Sequence, residues 1–250
     1  IIVKATDGDM FLGGRDFDEK LIDHIIEKLK LDDNFTQNPR KMAKLRENVI
    51  AAKIELSGND DTVIMSEDGD FDDIELTLEE FEDINKDLID RILIPVERLL
   101  DQIKINKNEI DGIILVGGSS NMKFVNRKLT EYFGKKPFKG INPEEVVAFG
   151  AGFIAAKLIN NDNDELPKSI QSLKIQDICP FSIGTSILNN TMDIFIRKNT
   201  PIPFSYSDGY STMYYKQKGL LVDIYEGESE YASENRHLGK LEIKNLPESE

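Results

Sequence analysis

Twice in this sequence an apolar run ends on a glycine pair just before a helical pattern begins. The first is Leu12-Gly13-Gly14; the second is Gly117-Gly118, followed by Ser119, within IILVGGSSNMKF, Ile113 to Phe124. Glycine lets a ligand touch bare backbone, and a helix start leaves unpaired N–H groups at the positive end of its dipole. Such a turn suits a nucleotide, and it equally suits tight packing. Gly117-Gly118 lacks the third glycine of the dinucleotide pattern, and no Lys-Ser/Thr pair makes it a P-loop. The presence of two such turns adds weight to the nucleotide reading. Ile50, Lys53, Ile54 and Ser57 fall on one face of a helix by periodicity. Lys53 and Ser57 could reach a ligand there, with Ile50 and Ile54 packing against it. A solvated lysine beside two core isoleucines fits the same spacing.

No catalytic constellation is present. Glu79-Glu80-Phe81-Glu82-Asp83 reads as a solvated helix face, and no serine has a histidine partner. His24 and His237 are the only histidines and lie far apart, and Cys179 is the only cysteine. That leaves no disulfide framework and no thiolate or histidine metal site.

The elements around these turns change character along the chain. Phe17, Leu21, Ile22, Ile25, Ile26 and Leu29 recur at helical spacing. Arg40 to Leu56 is a second helix, ended by Ser57-Gly58-Asn59. Thr77-Leu78-Glu79-Glu80 is a capping box opening a third, which runs through Leu88, Ile92 and Leu99 with a kink or break at Pro95. Glu109 to Val116 reads as a strand and Asn121 to Phe133 as a helix. Asn142-Pro143-Glu144-Glu145 starts another helix, Val146 to Ile159, whose Gly150 and Gly152 permit close packing. Residues 160–168 form a polar, acidic loop. From Ile178 onward two hairpins are expected, one about Asn189-Asn190-Thr191 and one about Gln217-Lys218-Gly219, the latter pairing YSTMYYK with LLVDIYEGE.

The 250 residues are 40% hydrophobic and 31% charged, with a net charge of −15. So acidic a chain is a poor partner for nucleic acid or an anionic membrane surface, and no apolar run is long enough to span a bilayer. The opening IIVKATDGD is strand-like and fits neither a signal nor a transit peptide. It reads as a chain entered part-way through a strand, and KLEIKNLPESE as one leaving just after another, so a fragment is expected.

GDMFLGGRDFDEKLI, ILVGGSSNMKFVNRKL, INPEEVVAFGAGFIAAKL and ICPFSIGTSIL, then IRKNTPIP, IYEGE and NRHLGKLEI, resemble in order and spacing the heat-shock seventy (DnaK-type) chaperones over nearly the whole chain. The resemblance implies an α/β fold, the second lobe of an actin-like ATPase domain (residues 1–167). An interdomain linker (168–178) and the first strands of an incomplete antiparallel β-sandwich that binds substrate (179–250) would follow. It implies ATP or ADP as ligand, with Mg in the full-length protein. Unfolded or extended hydrophobic peptides, J-domain co-chaperones and nucleotide-exchange factors are the implied partners, and a cytoplasmic location is expected. Gly13 and Gly14 match the phosphate- and ribose-facing turn, and Gly117, Gly118 and Ser119 match the adenosine turn. Lys53 and Ser57 match helix positions that hold the nucleoside, and Glu144 stands where an Asp is usual. Thr185, Ile187, Leu188, Tyr210, Met213, Leu220 and Val222 match the peptide groove, with Leu188 and Met213 forming its arch.

The sequence departs from the family at Ile50 in place of Glu, at Ile54 in place of an Arg along the adenine, and at Asn121 in place of a second Arg. These changes weaken or alter nucleotide contact. The linker, Ser172 to Ile178, keeps Leu173, Ile175 and Asp177 but is less apolar. The first lobe's phosphate loops and catalytic Lys are missing, so ATPase activity is expected of the full-length protein and not of this chain alone. A degenerate member that regulates or scaffolds another chaperone without its own ATP cycle is the alternative.

Overall fold

The computed structural model describes residues 1–66, 69–138, 140, 142–159, 167–212 and 216–246. It divides into two compact units, Gly8–Gln171 and a second made of Ile1–Asp7 with Ser172–Glu250.

The first unit begins with α1 (Gly14–Leu29), the short α2 (Asp33–Thr36) and α3 (Pro39–Leu56). Asn38 caps α3 by accepting from the Arg40 N–H at 3.0 Å, and Pro39 fills its first position. A two-stranded antiparallel ribbon, β1 (Asp61–Ile64) with β2 (Ile74–Thr77), alternates strictly and turns Thr62, Ile64, Ile74 and Leu76 inward. Thr77 then accepts from the Glu80 N–H at 3.1 Å and opens α4 (Leu78–Ile84), as its capping pattern predicts. The predicted third helix is three: α4, α5 (Lys86–Arg91) and α6 (Ile94–Ile103). Pro95 sits in the first turn of α6 and marks the second break. The first falls at Asn85, fully buried, whose side-chain amide donates to the Phe81 carbonyl at 3.0 Å. α7 (Lys123–Phe133) and α8 (Val146–Ile159) follow.

The core of this unit is one cluster. Leu21, Ile22 and Ile25 of α1 meet Leu45, Val49 and Leu56 of α3 and Phe81 of α4. Phe17, Phe81 and Phe124 form an aromatic triangle with ring centroids 5.4–6.5 Å apart. Fully burying each such side chain contributes about 1.5–3 kcal/mol over leaving it in water.

Three expectations fail in this unit. Glu109 to Val116 is not a paired strand: Asn106 and Glu109 form a capping box around a 3₁₀ turn, Lys107–Glu109. The remaining run is held by the Phe138 N–H donating to the Ile113 carbonyl at 2.8 Å, with Ile114 and Val116 exposed. The helix foreseen from Asn121 starts at Lys123, because Gly118–Asn121 is a separate 3₁₀ turn. And α8 buries none of its residues, with open space beside Gly150 and Gly152 among the described residues. The foreseen loop lies largely in 160–166, outside the described residues.

The short helix α9 (Lys168–Gln171) closes the first unit, and the second is built of strands. β3 (Asp177–Ile178) pairs antiparallel with β6 (Pro201–Ile202). β4 (Ile183–Ser186), β5 (Met192–Ile196), β7 (Gly219–Glu226) and β8 (Arg236–Lys244) form an antiparallel sheet in the order β5-β4-β7-β8. The β4–β5 hairpin forms as foreseen, with Asn189 and Asn190 both at φ +62° in its connection. The second hairpin is different: β7 pairs with β8, not with the segment before it. Residues 210–212 carry no strand, and Met213 to Tyr215 lie outside the described residues. Ile2 makes a parallel bridge to Gln176 in the linker segment, with the Val3 N–H donating to Gln176 and the Gln176 N–H to Ile1, each at 3.0 Å.

Candidate functional site

The two glycine turns, far apart in sequence, meet where Ser119 approaches Gly14, beside Lys53. Lys53 Nζ, on the last turn of α3, donates to the Gly14 carbonyl at 3.0 Å and lies 2.7 Å from the Asp18 carboxylate. A Cβ on Gly14 would stand 2.7 Å from Ser119 Oγ and 3.2 Å from Lys53 Nζ, so any side chain there would have to push one of these groups aside. Gly13 caps α1, its N–H donating to Asp16 Oδ2 at 2.7 Å. Gly117 holds φ +87°, in the left-handed region, and its N–H donates to the Pro143 carbonyl at 2.8 Å. That bond sets the adjoining Glu144 over the turn, about 3.4 Å from where a Gly118 side chain would begin.

Between these pieces lies a cleft of 590 Å³ lined by Ile50, Lys53, Ile54, Ser57, Gly58, Gly118, Ser119, Asn121, Met122 and Glu144. Five residues singled out in the sequence thus share one cavity: Lys53, Ser57, Gly118, Ser119 and Glu144. Gly14 and Gly117 adjoin residues that line it without lining it themselves, and Gly13 does not line it. The three departures, Ile50, Ile54 and Asn121, line it too. The Ser57 hydroxyl turns back to the Lys53 carbonyl at 3.4 Å, and Asn121 Nδ2 donates to Glu144 Oε1 at 3.3 Å. A hollow of 680 Å³ beside α6, with Glu97, Asp101, Lys107, Glu109 and Tyr132 in its wall, holds none of the predicted residues.

Sequence reasoning missed Asp18. It is 5% exposed, and burial pushes its carboxyl above the usual range while Lys53 pulls it down. The signal was present: an acid sits directly between Phe17 and Leu21 on the apolar face of α1. Among the described residues no group of His, Cys, Asp and Glu could hold a metal ion.

In the second unit, the register puts Leu220, Val222 and Ile224 of β7 on one face with Thr185 of β4 and Leu241 and Ile243 of β8. Thr185 is buried, its hydroxyl donating to the Asp223 carbonyl at 2.8 Å, so it supports this face from within rather than contacting a ligand through its hydroxyl. Ile187 is exposed, and Leu188, in the β4–β5 connection, is 77% exposed. Tyr210 stands beside the face, its hydroxyl donating to Asp193 Oδ2 at 2.7 Å, opposite Thr185 in the β4–β5 register. Met213, the other arch residue, lies outside the described residues.

The Asp193 bond, with burial second, pushes the Tyr210 phenol up to about 12. A phenol raised in the folded state stabilises fully below its ordinary value of about 10. That contribution is lost as pH rises from there through about 12. Ultraviolet titration should find one tyrosine ionising near the top of that range, and Asp193→Asn should return it towards the ordinary value. An unchanged titration in that variant refutes the contact.

A family model described as "Hsp70 protein" matches residues 1–250. The chain is 37% identical to the "Heat shock 70 kDa protein" of Neurospora crassa over 252 residues, covering 98% of this chain and 38% of that one. It is 36% identical to the "Heat shock 70 kDa protein" of Penicillium citrinum, covering 98% and 49% respectively. With the "Heat shock protein hsp-6" of Caenorhabditis elegans it shares 35% identity over 98% of this chain and 37% of that one. The chain therefore spans less than half the length of these relatives.

Proposed function

The chain belongs to the Hsp70 family, and from that premise we propose that it supplies the nucleoside-holding part and much of the peptide face of an ATP-regulated chaperone for unfolded hydrophobic segments. In this reading residues 1–167 are the second lobe of an actin-like ATPase domain, 168–178 the linker and 179–250 the opening strands of a substrate-binding sandwich. The carrying observation is the cleft in which Lys53, Ser57, Gly118, Ser119 and Glu144 converge. It has glycine-turn backbone at one end and isoleucines at the other, matching a ligand with a polar sugar and a flat apolar base.

The face of Leu220, Val222, Ile224, Leu241 and Ile243 supports the second half of the reading. An extended peptide would lie across it, with Leu188 and Tyr210 at its margin. ATP or ADP with Mg, J-domain co-chaperones and nucleotide-exchange factors belong to the same proposal, as does the cytoplasm. Among the described residues no helix is long and apolar enough to cross a membrane.

The test uses the whole protein that carries this chain. Single-turnover ATP hydrolysis and the release of a fluorescent leucine-rich peptide are followed together, with ATP expected to turn over and to speed release. A protein that binds no ATP, or whose peptide release ignores it, overturns the proposal.

A further inference from the structure

Most of the cleft's polar side chains have partners within the fold, and Ser119 and Glu144, which complete its polar lining, stand exposed to water. Lys53 is committed to Asp18 and the Gly14 carbonyl, Ser57 to the Lys53 carbonyl, and Asn121 to Glu144. Ile50 and Ile54 form one wall, and Met122, part of the core, the floor. Ile54 is 65% exposed, whereas Leu45, Val49 and Leu56 of the same helix are at most 2% exposed. An isoleucine standing that free at the mouth of a cleft, next in sequence to a lysine fixed in place, is available to lie against a flat ligand.

On the nucleoside reading above, we propose that this cleft holds its base by shape and dispersion against Ile50, Ile54 and Met122, and does not distinguish adenine from hypoxanthine or guanine. Ile54 is the residue that sets this permissiveness.

Reading a purine edge requires a donor or acceptor that is fixed and shielded from water. An analogue that leaves such a group unpaired is then rejected by about 10⁴–10⁵-fold. Asn121 is the side-chain amide lining the cleft; it is exposed, and its nitrogen already bonds Glu144. Water can satisfy it whichever base is present. An aliphatic wall separates ligands by the area they bury, and the three purines present nearly equal faces. Their affinities should therefore differ by no more than about tenfold. A pyrimidine covers less of the wall and should bind more weakly.

Equilibrium binding of adenosine, inosine, guanosine and cytidine to the whole chain tests this. The expected result is three purine affinities within tenfold of one another, with cytidine below them. Ile54→Ala should weaken all three purines by a common factor of about five to ten. Because Ile54 is exposed, its thermal melt should stay unchanged, which separates lost contact from lost folding. If adenosine binds and inosine and guanosine are rejected by more than about thirtyfold, an edge contact reads the base. The inference then falls while the nucleotide reading stands. If no nucleoside binds, that reading falls and takes this inference with it. Purine affinities unmoved by Ile54→Ala exclude Ile54 as the wall.

Discussion

Replacing Lys53 with methionine should lower the stability of the Gly8–Gln171 unit by about 3–5 kcal/mol and abolish nucleoside binding. The ammonium and the Asp18 carboxylate are only 12% and 8% exposed, and 2.7 Å apart. Removing one partner leaves the other charge buried without compensation, which is far costlier than losing a surface pair. The pH dependence has a definite sign. Burial already raises Asp18 against the pull of Lys53, and without the lysine only the weaker pull of Arg46 opposes it. A carboxyl raised in the folded state makes the fold bind more protons than the unfolded chain. The variant's deficit should therefore shrink as pH falls from about 7 towards about 5. Pairing Lys53→Met with Asp18→Leu should restore most of the stability, since no unpaired charge remains, yet leave binding lost. Urea denaturation of the single and double variants decides the matter. A Lys53→Met protein as stable as the parent at neutral pH would mean that Asp18 is hydrated, contrary to its burial.

The site was more legible in the sequence than the architecture around it. Lys53 and Ser57 share a helix face by periodicity alone, and glycine pairs announce turns. Their convergence across Gly14 and Ser119 depends on tertiary packing that no local pattern encodes. Asp18 shows the complementary failure: it went unread, though its place between Phe17 and Leu21 on an apolar face signals its burial. Helices with a local stop or cap were read well: the run Arg40 to Leu56 lies within α3, Pro39–Leu56, and the Thr77 pattern caps α4. Asn85 was missed because its effect comes from a side-chain bond inside the core.

Strand pairing fared worse because partners are chosen non-locally. Leu220 to Glu226 was recognisable as a strand, but its partner lay beyond Gly227, in Arg236–Lys244, rather than behind it. Tyr206 and Tyr210, tied through their hydroxyls to Asp208 and Asp193, occupy the preceding segment in a loop. Glu109 to Val116 had the apolar content of a buried strand, yet a three-residue 3₁₀ turn with its capping box claimed its start. The family resemblance supplied the meaning of these residues where periodicity supplied only their positions.

The aromatic triangle links that fold to that site, and Phe124→Ala tests the link. Phe124 is 1% exposed, with Phe17 at 5.4 Å and Phe81 at 6.4 Å between ring centroids. Truncating so enclosed a ring removes its transfer free energy and leaves a cavity, together about 3–5 kcal/mol. In a unit of this size that corresponds to a fall in Tm of roughly 10 °C. The consequence for binding follows from position. Phe124 is in the first turn of α7, two residues beyond Met122, the cleft's floor, and three beyond the 3₁₀ turn that carries Gly118 and Ser119. Its ring anchors that turn against α1 and α4, so losing it frees the turn relative to Lys53. Nucleoside affinity should drop even at temperatures where the variant remains folded, whereas Phe35→Ala, in the same core but remote from the cleft, should destabilise without that drop. Equal affinities for the two variants, measured well below both melting transitions, would show that the turn is held by its own hydrogen bonds, Ser120 to Gly117 and Gly117 to Pro143, without help from the ring.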